Sequence, residues 1–121
     1  MAAFASERLV LVVEDDTDVL TTMGEILALN GYSVALARNG REAFERLAAQ
    51  RPRVILLDLM MPVMDGKQFL ELRRGDQALA EIPVVVLSAI ADRAHDLGDV
   101  SEVLLKPVDI NALLSTIDRF C

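Results

Sequence analysis

The sequence predicts an α/β fold: a doubly wound, five-stranded parallel sheet covered by helices on both faces. Short apolar runs, typical of strands buried on both faces, alternate five times with segments of helical periodicity. No repeat, low-complexity tract or linker interrupts the 121 residues, a length that suits a single domain. Right-handed crossovers between parallel strands then place helices on both sides of the sheet.

The first half of the chain supplies two strands and two helices. The apolar run Leu9–Val13 predicts the first strand, and Asp16 is placed to cap the first helix. Apolar positions recur at helical spacing until Asn30-Gly31, which closes that helix. Residues 32–37 predict the second strand, and Asn39-Gly40-Arg41-Glu42 is a capping-box variant that opens the second helix.

The second half repeats the alternation three times. Apolar runs predict the remaining strands at Val54–Asp58, residues 82–87 and residues 103–105. Helical patterns follow them at about residues 67–74, over a short segment at residues 89–98, and behind a cap at Asp109. In the helix at 67–74 we expect Phe69, Leu70 and Leu72 on the inner face, and Arg73-Arg74 at a solvated end.

Composition and charge exclude several classes of function. The net charge of −7 argues against non-specific binding to nucleic acid, because no basic patch could offset phosphate repulsion. Apolar runs are too short to cross a bilayer, and the N-terminus lacks the features of a secretory signal. Cys121 is the single cysteine, so no internal disulfide can form. We predict a cytoplasmic protein, with residues 1–7 as a flexible N-terminal segment.

Polar residues stand at the ends of four predicted strands: Glu14-Asp15, Asp58, Ser88 and Lys106. In the flavodoxin-like strand order 2-1-3-4-5, the first and third strands flank the crevice where ligands bind. That order places the three carboxylates of Glu14, Asp15 and Asp58 together. Crowded carboxylates need protons or a cation, and carboxylates with a backbone carbonyl and waters suit Mg²⁺.

The other two groups suit phosphoryl transfer. Lys106 can reach the carboxylates as a point charge, and the Ser88 hydroxyl can donate to an incoming oxyanion. A metal ion, an ammonium and a hydroxyl around one carboxylate form a site for receiving a phosphoryl group on Asp58. Taken singly, these residues are more often helix caps, turn residues or solvated lysines. Their joint placement favours the site.

From residue 9 to residue 120 the chain resembles the receiver domains of two-component response regulators. The resemblance rests on the motifs Val12-Val13-Glu14-Asp15-Asp16, Leu57-Asp58-Leu59-Met60-Met61-Pro62 with Asp65-Gly66, Leu87-Ser88-Ala89 and Leu105-Lys106-Pro107. It implies that residues 1–121 are a single receiver domain. We further predict a cis bond between Lys106 and Pro107.

The resemblance also implies roles at the metal site. Asp58 would be the phosphoacceptor and Asp15 a direct ligand of Mg²⁺, for which Mn²⁺ could substitute. Glu14 would act on the metal through water, and the backbone carbonyl of Met60 would complete the protein ligands.

By the same resemblance, Ser88 is the switch hydroxyl and Lys106 contacts the phosphoryl oxygens. The donor would be a phosphohistidine on a sensor histidine kinase or a histidine phosphotransfer protein, and phosphorylation would switch binding to a downstream protein. We expect no output domain, no nucleic-acid or membrane partner, and a monomer or weak phosphorylation-dependent dimer. The chain would be a stand-alone receiver or a domain cut from a larger protein such as a hybrid kinase.

Three departures from the family pattern affect the predicted readout. Val103 stands where receivers usually carry an aromatic that changes rotamer with the switch hydroxyl, and valine is stiff at χ1. Val108 replaces the common aromatic after Lys-Pro. The chain between Ser88 and Lys106 is also shorter than usual, so we expect a shortened fourth helix at residues 89–98.

In the receivers that the chain resembles, the residues two after the phosphoacceptor and two after the switch hydroxyl influence attack by water, and here they are Met60 and Ile90. Neither can orient a water molecule by hydrogen bonding, which predicts slow self-dephosphorylation.

Two alternative functions differ in the residues they require. A haloacid-dehalogenase-type phosphatase would carry a second aspartate where Met60 stands, and a cap domain for which the chain is too short. A pseudo-receiver, a scaffold that never takes phosphate, would be expected to lose Asp58, Lys106 or the acidic pair, and all are present. We therefore expect a phosphoacceptor that is not an enzyme, apart from assisting its own phosphorylation and slow dephosphorylation.

Overall fold

The computed structural model describes residues 8–58, 66–88 and 100–121, without the side chains at positions 67 and 88. In these ranges five strands form one parallel sheet in the order β2-β1-β3-β4-β5. The strands are Leu9–Val13 (β1), Ser33–Ala37 (β2), Val54–Asp58 (β3), Val84–Ser88 (β4) and Glu102–Leu105 (β5). The predicted fold class and strand order are confirmed.

The described helices are Thr17–Leu29 (α1), Gly40–Ala49 (α2), Gly66–Arg74 (α3), Gln77–Ala80 (α4) and Ile110–Phe120 (α5). The three predicted N-caps are confirmed, because each side chain accepts hydrogen bonds from backbone N–H groups of the following turn: Asp16, Asn39 and Asp109. At the end of α1, Gly31 has a φ of 88°, a left-handed conformation that glycine adopts without steric cost.

The core lies on both faces of the sheet. On one face, alternate residues of β1, β3 and β4 pack with apolar side chains of α2 and α3, including Leu47 and Phe69. On the other face, the intervening residues pack with α1 and α5, including Leu27 and Ile117. Every residue of β1 and β3 is buried, so both strands are enclosed by the two helical layers.

The prediction for α3 is wrong at two positions. Leu72 is 55% exposed, whereas Arg73 is 2% exposed and lies on the inner face with Phe69 and Leu70. The Arg73 guanidinium donates from Nη2 to the carbonyl oxygens of Ala80 at 2.8 Å and of Ile82 at 2.7 Å. A buried carbonyl needs a donor, and the guanidinium supplies one between α4 and β4.

Several predictions fall outside the described residues. They concern the flexible segment at residues 1–7, the shortened helix at residues 89–98, Met60, Ile90 and the side chain of Ser88. In the ranges that the structure does describe, no helix has the length and apolar character required to span a bilayer.

Candidate functional site

Strand register brings the predicted site residues to one edge of the sheet. Val13, the last residue of β1, pairs with Leu57, so the next residues along each strand, Glu14 and Asp58, are neighbours. The last residue of β4 pairs with Leu105, which puts Lys106 just beyond the end of β5. The edge is therefore formed by the carboxyl ends of the strands, where open parallel sheets bind ligands.

Three carboxylates meet at this edge. One oxygen from each of Glu14, Asp15 and Asp58 lies within 4.8 Å of the other two. Glu14 is 4% exposed and Asp58 is 5% exposed, whereas Asp15 faces solvent. The structure thus brings together the three acidic residues that the sequence proposed as metal ligands. We call them the acidic triad.

Burial and hydrogen bonding within the acidic triad favour the protonated form of Glu14. Burial, followed by hydrogen bonds with Asp58 and Asp15, raises the pKa of Glu14 from 4.5 to about 8, although the hydrogen bond from the Asp16 backbone acts in the opposite direction. A carboxyl group in this environment keeps its proton unless a cation compensates the charge. This donor set of carboxylate oxygens fits a hard divalent cation such as Mg²⁺.

Lys106 supplies the positive charge of the site. Its Nζ lies 3.3 Å from Oδ1 of Asp58, and the Lys106 side chain is 37% exposed while that of Asp58 is 7% exposed. The bond between Lys106 and Pro107 is cis, which confirms the prediction. The Asp58 carboxylate therefore lies next to an ammonium as well as to the other two members of the acidic triad.

Backbone hydrogen bonds hold the loop that carries Glu14. The N–H of Glu14 donates to the carbonyl oxygen of Ala37 at 3.0 Å, and the N–H of Asp16 donates to Oε2 of Glu14 at 3.2 Å. The sequence predicted Asp16 as a helix cap but not its contact with Glu14. The acid run 14–16 was the available signal, yet spacing alone does not reveal a hydrogen bond between the Asp16 N–H and the Glu14 carboxylate.

The two unusual valines lie on opposite faces of the sheet. Val103 is half-buried against the cluster that includes Phe69, and its β4 partner is Val86. Val108 is half-buried against the cluster that includes Leu113. Both positions are thus filled by branched aliphatic side chains packed on the core.

A groove of about 430 Å³ opens beside the acidic triad. It runs between α1 and the start of α5, and sequence analysis did not identify it. Its lining is mostly apolar and comprises Glu14, Asp18, Val19, Thr22, Met23, Ile26, Leu87, Lys106, Pro107, Val108, Ile110 and Leu113. Val19 and Ile110 are each 41% exposed on its walls. The groove therefore joins an apolar surface to the charged groups of the site.

Comparison with known protein families shows the family to which the chain belongs. The chain matches the response regulator receiver domain family over residues 10–118. The chain belongs to this family. The predicted resemblance is confirmed, and two-component signalling by phosphorylation is the general function of receiver domains.

Similar proteins include a curated relative and two solved receiver domains. The response regulator MprA of Mycolicibacterium vanbaalenii is 38% identical over 112 residues, covering 88% of this chain and 47% of the relative. The chain thus spans about half the length of the curated relatives it matches.

The receiver domain of a signal transduction histidine kinase from Syntrophus aciditrophicus has a TM-score of 0.85 and 32% identity, covering 93% of this chain and 88% of that chain. The receiver domain of sensor histidine kinase PA1611 from Pseudomonas aeruginosa PAO1 has a TM-score of 0.84 and 26% identity, covering 93% of this chain and 96% of that chain. The latter structure holds a magnesium ion in its active site cleft.

Proposed function

We propose that this receiver domain accepts a phosphoryl group on Asp58 from a phosphohistidine of a sensor histidine kinase or histidine phosphotransfer protein. The phosphorylated form then changes its affinity for a downstream protein. The observation that carries the proposal is the environment of Asp58. Its nearly buried carboxylate belongs to the acidic triad and lies 3.3 Å from the Lys106 ammonium.

The transfer exchanges one bond to phosphorus for another. A carboxylate oxygen of Asp58 forms the new P–O bond while the N–P bond of the donor breaks, and the electron pair of that bond returns to the imidazole nitrogen. Asp58 reacts as the carboxylate, so it needs no general base. The Lys106 ammonium reduces the repulsion between the anionic phosphoryl group and the carboxylate, and it then contacts the phosphoryl oxygens.

The acidic triad is the proposed site for Mg²⁺, or Mn²⁺, with the Met60 carbonyl as a further ligand outside the described residues. When bound, the ion compensates the carboxylates and stabilises charge on the transferred phosphoryl oxygens. Two observations support this assignment: one oxygen from each of the three carboxylates lies within 4.8 Å of the other two, and the related PA1611 receiver holds magnesium in its cleft.

The groove between α1 and α5 is the proposed docking site for the phosphohistidine donor. The donor must bring its phosphoryl group to Asp58, and the groove ends at Glu14 and Lys106, next to that carboxylate. Its apolar walls, with Val19 and Ile110 partly exposed, suit the apolar face of a partner helix. Docking there would align the donor with the acceptor.

Ser88 is proposed as the switch hydroxyl that contacts the phosphoryl group, and the readout would differ from that of typical receivers at Val103. A half-buried valine packed on the core has no long side chain to swing between two orientations. We therefore expect phosphorylation to change the partner-binding surface without an aromatic rotamer switch at this position.

Incubation with acetyl phosphate and Mg²⁺, followed by intact-mass measurement, tests the proposal. Wild type should gain one phosphoryl mass, Asp58→Asn should gain none, and Asp76→Asn, a remote carboxylate variant, should behave as wild type. Absence of the adduct in wild type, or its persistence in Asp58→Asn, would contradict the proposal. Turnover of phosphate monoesters would favour the phosphatase alternative instead.

A further inference from the structure

Asp16 lies beside the acidic triad, and its side chain turns away from it. Oδ1 accepts hydrogen bonds from the N–H groups of Asp18 at 2.9 Å and Val19 at 3.2 Å, and the Asp16 carbonyl accepts from Leu20 at 2.9 Å. Its own N–H donates to Oε2 of Glu14. One residue therefore joins the first turn of α1 to the Glu14 carboxylate.

We propose that Asp16 is a positioning residue for the metal site: its cap on α1 fixes the backbone N–H that holds Glu14 in the acidic triad. The inference rests on the proposed function, because it concerns the affinity of the triad for Mg²⁺. Asp16 itself is not a ligand in this assignment, because its carboxylate accepts hydrogen bonds from the first turn of α1.

The cap constrains the peptide group that carries this N–H. Asp16 has the extended N-cap conformation, with φ −76° and ψ 113°, and its side chain and carbonyl are both bonded to the first turn. On the other side, the N–H of Glu14 is anchored to Ala37. Hydrogen bonds on both sides of the loop thus restrain the orientation of the Glu14 carboxylate. Without the cap, the N–H that orients it is released.

Substitutions at position 16 distinguish the effect of the helix cap on Mg²⁺ affinity from the effect of the Asp16 charge. Asp16→Asn and Asp16→Ser keep a capping oxygen and remove the charge, whereas Asp16→Ala removes both. We expect Asp16→Ala to bind Mg²⁺ about tenfold more weakly than Asp16→Asn, as is typical when a group that orients a ligand is lost. Asp76→Ala removes a similar cap from α4, at the opposite edge of the sheet, and should leave the affinity unchanged.

The affinity is obtained from the Mg²⁺ dependence of urea unfolding, measured by circular dichroism. Weaker binding in Asp16→Ala, with binding retained in Asp16→Asn and Asp16→Ser, supports the inference. Equal Mg²⁺ affinity in Asp16→Ala and Asp16→Asn would overturn it and leave Asp16 as a helix cap alone. A wild type that binds no Mg²⁺ would instead overturn the metal assignment in the proposed function, and this inference with it.

Discussion

Replacing Glu14 with glutamine should stabilise the metal-free protein and reduce the stabilisation that Mg²⁺ provides. In metal-free protein the substitution removes a buried carboxyl group whose ionised form is opposed by burial and by Asp58 and Asp15. Glutamine keeps the size of the side chain and an acceptor for the Asp16 N–H. Metal-free Glu14→Gln should therefore be more stable than wild type at neutral pH.

The size and pH range of this gain follow from the pKa. Below pH 4.5, Glu14 is protonated in both the folded and the unfolded protein, so its ionisation does not lower the free energy of unfolding. Between pH 4.5 and about 8 the unfolded chain ionises and the folded protein does not, so wild type loses stability as the pH rises. At about 1.4 kcal/mol per pKa unit the upper bound is about 5 kcal/mol. Because Asp15 is exposed and water screens the cluster, we expect a gain of about 1–3 kcal/mol at pH 8.

Bound Mg²⁺ should reduce this difference in stability. A ligand present at a hundred times its dissociation constant stabilises the folded state by about 2.7 kcal/mol. Wild type should gain this stabilisation because the cation compensates the ionised triad. Glu14→Gln has one negative charge fewer in the triad and should bind Mg²⁺ more weakly, so Mg²⁺ should stabilise it less.

Urea unfolding from pH 5 to pH 8.5, with chelator or with Mg²⁺, measures both effects. Far-ultraviolet circular dichroism is the suitable signal because the sequence contains no tryptophan. Glu25→Gln, an exposed position on α1, is the matched control and should follow wild type. Two results would contradict this prediction. One is a free energy of unfolding that has the same pH dependence in metal-free Glu14→Gln and in metal-free wild type. The other is equal stabilisation of both proteins by Mg²⁺.

Two further predictions concern α3 and the lifetime of the phosphorylated protein. Arg73→Ala should lower the free energy of unfolding by about 3 kcal/mol, because one buried and one part-buried carbonyl lose a charged donor. The adjacent exposed variant, Arg74→Ala, should cost less than about 1 kcal/mol, and equal losses in urea unfolding would contradict the assignment. The double variant Met60→Asn, Ile90→Glu should lose its phosphoryl group faster than wild type by time-resolved intact mass, because both new side chains can orient water. An unchanged lifetime would refute the water-orientation argument.

Features set by local chemistry were predictable from the sequence. The caps at Asp16, Asn39 and Asp109 depend on a short polar side chain next to a helical pattern, and each was confirmed. The strands Leu9–Val13 and Val54–Asp58 have the predicted bounds, because apolar runs bounded by charges leave little freedom at either end. The strand order 2-1-3-4-5, one of the two common orders of doubly wound sheets, was assumed and is the order in the structure.

Features that depend on contacts between different elements of the fold were not predictable from the sequence. Hydrophobicity alone placed Leu72 inside, but Arg73 occupies the inner face because carbonyls near α4 and β4 need its donors. The four-residue helix α4 is too short to give a periodic signal. Likewise, the groove requires α1 and α5 to be in place before its walls exist.

Some features of the candidate site were also predictable from the sequence, and others were not. Which carboxylates meet follows from strand order, whereas the difference in their burial does not. Glu14 and Asp58 are nearly buried and Asp15 is exposed, so the acidic triad combines two buried carboxylates with access to water on one side. A fully enclosed triad would favour a dehydrated ion, but Mg²⁺ retains several water ligands and gives them up reluctantly. If Mg²⁺ binds as proposed, the exposed side at Asp15 would leave room for its water ligands.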